Sequence, residues 1–269
     1  MRTTPTGFPA DGFVGTAEYY LRYRLAYPDA LFEDLLARLG AIEAGRMLDI
    51  GCGPGRVALG LASRFSEVWA LDFEPEMVEG GRAEAARRGV SNVRWMVGAS
   101  ETADAPASGF DLVTAGDAFH RFHRRLIVAR ILAWLRPGGA LAIMGGDGAI
   151  NGDADWQRAA QAVVRRFTGR PSPSGPTPAD GIVKGEALLR AAGFSHVASY
   201  DFTLVHEWTA EAVIGHLYST SYCSKAALGE RVPAFEAELT TALLAVDPAG
   251  RYRQFARFGY TFARKPARR

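Results

Sequence analysis

Fifteen consecutive residues, Arg46-Met-Leu-Asp-Ile-Gly-Cys-Gly-Pro-Gly-Arg-Val-Ala-Leu-Gly60, restrict this chain more than any other stretch. An apolar run (Met47, Leu48, Ile50), broken by Asp49, enters Gly51, Gly53 and Gly55 and continues into the helix-spaced Val57, Leu59 and Leu61. The pattern predicts a buried strand, a glycine turn and the first turn of a helix. Glycine is required there because a side chain would hold a bound molecule off the main chain, and because some turn positions need φ > 0. A nucleotide-like ligand is the expected occupant. Two registers fit, Gly51-x-Gly53-x-Gly55 and the dinucleotide-type Gly53-x-Gly55-x-x-Ala58. A tight strand-to-helix turn with no ligand is the alternative.

The downstream context favours the ligand. Glu67-Val-Trp-Ala-Leu-Asp72 is a second apolar run ending in a carboxylate, at the spacing expected for an acid that accepts from ribose hydroxyls. Asp72 also fits a helix cap, since Pro75 opens a helix through Met77. From Arg46 to about Gly146 strands (46–51, 67–72, 93–98, 110–115, 140–145) alternate with helices (55–65, 75–88, 122–135). That alternation predicts an α/β fold, a doubly wound and mostly parallel sheet. Right-handed crossovers bring Gly51, Asp72, Gly98 and Thr114 to one edge, where the ligand is expected.

With these residues in place, the chain resembles the class I S-adenosylmethionine-dependent methyltransferases, and among them the small-molecule enzymes of the trans-aconitate methyltransferase type. Five segments carry the likeness in order: Asp49-Ile-Gly-Cys-Gly-Pro-Gly55, Asp72-Phe-Glu-Pro-Glu-Met77, Gly98-Ala-Ser-Glu101, Phe110-Asp-Leu-Val113 and Arg136-Pro-Gly-Gly139. An earlier segment, with Tyr20, Tyr23, Arg24, Tyr27 and Pro28, is similar to the stretch that lids the cofactor in this family. The resemblance implies a seven-stranded Rossmann-like sheet with an N-terminal helical lid (1–40), a cofactor-binding core (41–146) and a C-terminal half (147–269) whose helical insertion precedes the last strand.

The same resemblance implies S-adenosyl-L-methionine as cofactor, held by Tyr20, Asp49, Gly51, Cys52, Gly53, Gly55, Asp72, Phe73, Met77, Ala99, Ser100, Glu101, Asp117 and Ala118. Ala99 stands where the family has an acid that reads the adenine amino group, so the Ser100 amide is the remaining donor there. Thr114-Ala-Gly-Asp-Ala-Phe-His-Arg-Phe-His123 resembles the family's Ala-Phe-His-Trp-Phe segment, with Arg121 in the tryptophan's place. In that register His120 faces the substrate as a general base or orders the turn; an imidazole titrates near operating pH. Tyr23, Arg24, Tyr27, Phe119, His216 and Tyr222 are the implied substrate contacts, the last two from the insertion containing Ser219-Thr-Ser-Tyr222. A nicotinamide-dependent oxidoreductase shares the glycine loop and ribose acid, and a catalytically idle cofactor-binding partner protein is the third reading.

Composition narrows the partners. A net charge of +2, from 31 basic and 29 acidic residues, offers no strong field for nucleic acid. No apolar stretch reaches membrane-spanning length, and the first residues lack a signal-peptide core. Cys52 and Cys223 alone build neither a disulfide framework nor a zinc site, so a cytoplasmic protein with a small-molecule substrate is expected. The oxygen-bearing side chains of Asp147, Asn151, Asp153 and Asp155 lack the spacing of a calcium loop, and no metal is expected. Residues 1–12 and the breaker-rich 171–178 read as mobile, the latter a hinge or lid. Gly181–Gly193 reads as a helix, His196–Trp208 as the sixth strand, Thr209–Leu244 as a helical excursion and Gln254–Ala263 as the last strand. Oligomeric state is not legible.

Overall fold

The computed structural model describes residues 12–42, 44–169 and 186–267. The N-terminal residues 1–11 and the proline-rich 171–178 lie outside that description. Seven strands share one sheet: β1 (Arg46–Ile50), β2 (Glu67–Asp72), β3 (Val93–Val97), β4 (Phe110–Gly116), β5 (Leu135–Gly146), β6 (Ser195–Thr209) and β7 (Arg251–Arg264). Their order is β3-β2-β1-β4-β5-β7-β6. The first five pair in parallel, while β7 runs antiparallel to both β5 and β6. The expected mostly parallel seven-stranded sheet is therefore the observed one, and the carboxyl ends of β1 to β5 lie along one edge.

Strand periodicity sorts the core into two layers, because successive side chains leave opposite faces. Met47, Leu112, Ala140 and Met144 face one layer with Leu31 and Leu35 of α2 (Asp29–Leu39) and with Val57 and Leu61 of α3 (Arg56–Leu61). Leu48, Ile50, Val113 and Ile143 face the other, against Ile127, Val128 and Ile131 of α5 (Arg124–Trp134). Full burial of one such side chain stabilises by about 1.5–3 kcal/mol, which pins the sheet between its helices.

Differences from the sequence reading have local causes. Helix α3 stops at Leu61, and a 3-10 turn carries the chain over Ala62–Arg64. Arg136-Pro-Gly-Gly139 does not precede β5 but bulges out of it: Leu135 pairs with Phe110 and Ala140 with Leu112. Gly138, at φ +80°, permits that excursion. Of the expected 181–193 helix, residues 186–193 are described; 186–191 are helical (α7) and 192–193 form a turn.

Around the strand edge sit α1 (Ala17–Tyr23), α4 (Pro75–Arg87) and the excursion between the last two strands: α8 (Ala210–Tyr218), α9 (Lys225–Leu228) and α10 (Val232–Val246). Helix α1 packs on α4 and α8. Gly215 makes the second contact possible, since a Cβ there would stand 2.3 Å from the Tyr23 ring. A further helix, α6 (Asp155–Thr168), packs on α10.

Candidate active site

The carboxyl ends of β1, β2, β3 and β4, roofed by α1, enclose a cleft of about 920 Å³ including its open mouth. Its floor is the glycine loop. Gly51 (φ +61°) passes so close to the β4 end that a Cβ would lie 2.5 Å from that of Ala118. Gly53 (φ +53°) differs: a Cβ there meets no atom within 4 Å, so the space it would fill belongs to the cleft. Gly55 serves packing, since its Cβ would lie 2.5 Å from Trp95. It does not line the cleft, nor does Cys52, which is buried with its thiol toward the Gly53 carbonyl.

Two carboxylates hold this loop. Asp49 is buried beneath it, one oxygen accepting from the Thr114 hydroxyl at 2.7 Å and the other from the Ala58 amide at 3.2 Å. It braces β4 and α3 and has no face on the cleft; burial lifts its pKa to about 7. Asp72 lines the cleft wall. Its oxygens accept from the Gly53 amide at 2.7 Å and the Glu74 amide at 2.9 Å. Burial raises its pKa while these amides pull the other way. The capping and loop-bracing functions are thus combined in one side chain whose remaining lone pairs can accept from a ligand.

Beyond Asp72 the wall is apolar and then polar: Phe73 (46% exposed), the buried Met77, and the β3 turn with Ala99, Ser100 and Glu101. Glu101 also accepts from the His123 amide at 3.0 Å, tying this turn to the start of α5. At the opposite end stand Tyr20, Gly116, Asp117 and Ala118. Asp117 adopts φ +51° and is fixed by the Tyr27 hydroxyl at 3.1 Å, the Arg56 guanidinium at 3.2 Å and the Gly146 amide at 3.2 Å. Arg56 also donates to the Leu25 carbonyl and lies over the Tyr27 ring. This cluster joins the segment after α1 to the tips of β4 and β5.

The structure thus gathers Tyr20, Gly51, Gly53, Asp72, Phe73, Met77, Ala99, Ser100, Glu101, Asp117 and Ala118 around one space. The expected substrate contacts fare differently. Phe119 is buried in the α5 layer, because the turn after β4 directs it into the core. Tyr27 is buried against Phe32 and Phe258, with its hydroxyl spent on Asp117. His216 is buried too: its Nε2 accepts from the Ala149 amide at 3.2 Å and its Nδ1 lies 3.4 Å from the Tyr23 carbonyl. It fastens α1 to the loop after β5, and burial holds its pKa well below the usual histidine value. Tyr222 is half-buried in the cap and does not line the cleft. Tyr23 and Arg24 line a second, open groove with His206 and Trp208. His120 is exposed and outside the cleft lining, which leaves the base role without geometric support.

Phe13, Glu74, Gly116, Arg121 and Phe122 line the cleft as well. Arg121, which stands where the resemblance calls for tryptophan, was the one with a visible signal. Its guanidinium lies 4.2 Å from the Phe13 ring centroid and reaches the Ser221 hydroxyl at 3.5 Å.

Residues 47–139 match the model of the methyltransferase domain family. Over 91 residues the chain is 38% identical to the uncharacterized methyltransferase YcgJ of Bacillus subtilis, covering 32% of this chain and 36% of that one. It is 35% identical over 113 residues to trans-aconitate 2-methyltransferase of Azoarcus, covering 41% and 42%. The chain therefore spans less than half the length of these two relatives. The crystal structure of YcgJ superposes with a TM-score of 0.57 at 16% identity, over 90% of this chain and 100% of that one, a likeness of fold. No helix among the described residues is long and apolar enough to cross a membrane. Over residues 47–139, which hold the glycine loop and Asp72, the chain is similar to the methyltransferase domain family.

Proposed function

We propose that the protein transfers a methyl group from S-adenosyl-L-methionine to an oxygen, nitrogen or carbon nucleophile of a small molecule. The observation that carries this reading is Asp72, fixed by the Gly53 and Glu74 amides at the rim of a cleft whose floor a Cβ at position 53 would occupy. A carboxylate held there accepts from vicinal hydroxyls of a ribose. Phe73 and Met77 supply an apolar wall for a base, with Ser100 at its edge. Tyr20 and Asp117 border the other end, where the amino acid portion belongs.

When bound, S-adenosylmethionine supplies a methyl group already activated by its positive sulfur. What the chain must add is alignment of the acceptor behind that methyl and exclusion of water. Helix α1, clamped to α8 by Gly215 and to the β5 loop through His216, roofs the cleft for that purpose. The matched methyltransferase domain favours this reading over a nicotinamide oxidoreductase.

The test is calorimetry of S-adenosylhomocysteine on wild type and Asp72→Ala, with thermal unfolding alongside. Losing charge-assisted bonds worth about 1.5–3 kcal/mol each should weaken binding at least tenfold, while the variant still unfolds cooperatively. Equal affinity in the two proteins would remove the assignment.

A further inference from the structure

Arg56 follows the glycine loop directly as the first residue of α3, yet it does not line the cleft. One terminal nitrogen of its guanidinium donates to the Asp117 carboxylate at 3.2 Å, and the other to the Leu25 carbonyl in the segment after α1. The same group lies 4.6 Å from the Tyr27 ring centroid and 5.9 Å from that of Tyr20. Burial works against its charge, and Tyr27, Tyr20 and Asp117 more than offset that, so its pKa is raised. Its Nε is buried without an acceptor among the described residues. A desolvated ion pair adds little net stability and an unmet donor subtracts from it, so the fold alone gives small reason for an arginine here.

Two of the residues it touches do line the cleft. Tyr20 and Asp117 stand at the end proposed above for the amino acid portion of S-adenosylmethionine. Asp117 keeps a φ of +51°, which a residue other than glycine holds only where its surroundings impose it. The Tyr27 hydroxyl at 3.1 Å and the Gly146 amide at 3.2 Å help to fix it, and among the described residues Arg56 is its one ion-pair partner. Tyr20 is also approached by Arg24, 4.9 Å from its ring centroid, but Arg24 is anchored on the Ser219 hydroxyl at 2.8 Å and not on the glycine loop. The Arg56–Asp117 pair is neutral overall, so what Arg56 adds to the cleft is placement more than field. We infer that Arg56 is a positioning residue, whose two-armed guanidinium sets Asp117 and the α1 segment bearing Tyr20 so that the cofactor's amino acid portion is gripped separately from the ribose at Asp72. A lysine would keep the charge without the planar fork that spans the two acceptors. The inference rests on the methyltransferase reading of the same cleft.

The test separates the two. Full-length protein is titrated by calorimetry with S-adenosylhomocysteine and with methylthioadenosine, which keeps the adenosine and the sulfur and lacks the amino acid portion. Failure of the wild type to bind S-adenosylhomocysteine removes the methyltransferase reading, and this inference with it. Given that binding, the wild type should hold S-adenosylhomocysteine about tenfold or more tighter than methylthioadenosine. Arg56→Met should lose about tenfold in affinity for S-adenosylhomocysteine and Arg56→Lys an intermediate amount, while methylthioadenosine binds both variants within about twofold of wild type. An arginine that merely supported the loop would, once replaced, weaken both ligands in parallel, and that result would overturn the inference. So would an Arg56→Lys protein that binds S-adenosylhomocysteine like wild type, since charge alone would then suffice. A wild type that does not bind methylthioadenosine, or binds it as tightly as S-adenosylhomocysteine, overturns it too, because the two ends would not be held separately. Should Arg56→Met fail to fold, Arg56→Lys, which keeps a cation beside Asp117, decides the comparison alone.

Discussion

Substituting alanine at Gly53 and at Gly55 should separate stability from ligand binding within one loop. Both residues have positive φ, +53° and +85°, so each alanine costs about 1–2 kcal/mol of backbone strain. The two side-chain environments are opposite. At Gly55 the new methyl would lie 2.5 Å from Trp95 Cη2 and 3.3 Å from Leu59 Cγ. The same edge of the Trp95 ring is packed against Gly81, where a Cβ would stand 2.3 Å from Cζ3. Overpacking of that kind adds about 1–3 kcal/mol. Gly55→Ala should therefore lose about 2–5 kcal/mol of unfolding free energy, a large part of what a domain of this kind possesses. Gly53→Ala meets no protein atom within 4 Å and should lose only the backbone part. Its methyl instead occupies cleft space, and S-adenosylhomocysteine should bind at least tenfold more weakly. Urea unfolding and calorimetry on both variants read the contrast. Equal stability losses, or a Gly53→Ala protein that binds like wild type, would refute the assignment of one glycine to packing and the other to the ligand.

Other consequences follow from the buried ionisable groups. Asp49 titrates near 7 in the fold and near 4 in the unfolded chain, so between those values the folded form holds a proton that the unfolded form has released. Its contribution therefore falls as pH rises from 4 to 7 and levels off above. Asp49→Asn lacks that slope, so the stability it loses relative to wild type should be larger at pH 5 than at pH 8; equal losses would contradict the burial argument. His216 has the opposite sign. With its folded pKa depressed, wild type should lose stability as pH drops below about 6.5. His216→Gln, which can keep an acceptor for Ala149 and a donor for Tyr23, should lose less over the same range, read as melting temperature at pH 7.5 and pH 5.

Much of the strand edge was readable before any coordinates. The glycine run, the acid at the end of the second apolar run and the alternating strands and helices are local signals, and topology alone brings them to one edge. Asp72 needed no tertiary information beyond the crossover rule, while Phe73 and Ser100 were implied by the family resemblance. What was not legible depends on which way a side chain turns. Phe119, His120 and Arg121 are consecutive, yet one is core, one is exposed and one lines the cleft, because a 3-10 turn fans them apart. Gly55 and Gly53 look equivalent in the motif and differ chiefly through Trp95, forty residues downstream in β3. Tyr27 and His216 belong to motif-like stretches but were drawn inside by Asp117 and Ala149, partners distant in sequence.

The central claim, that an adenosyl cofactor lies across the glycine loop with its ribose on Asp72, is tested most directly by crystals grown with S-adenosylhomocysteine. The account predicts density running from the Phe73 and Ser100 wall past Gly53 to Tyr20, with both ribose hydroxyls within hydrogen-bond distance of the Asp72 carboxylate. Saturated crystals in which the ligand lies elsewhere, or in which Asp72 touches no hydroxyl, would contradict it.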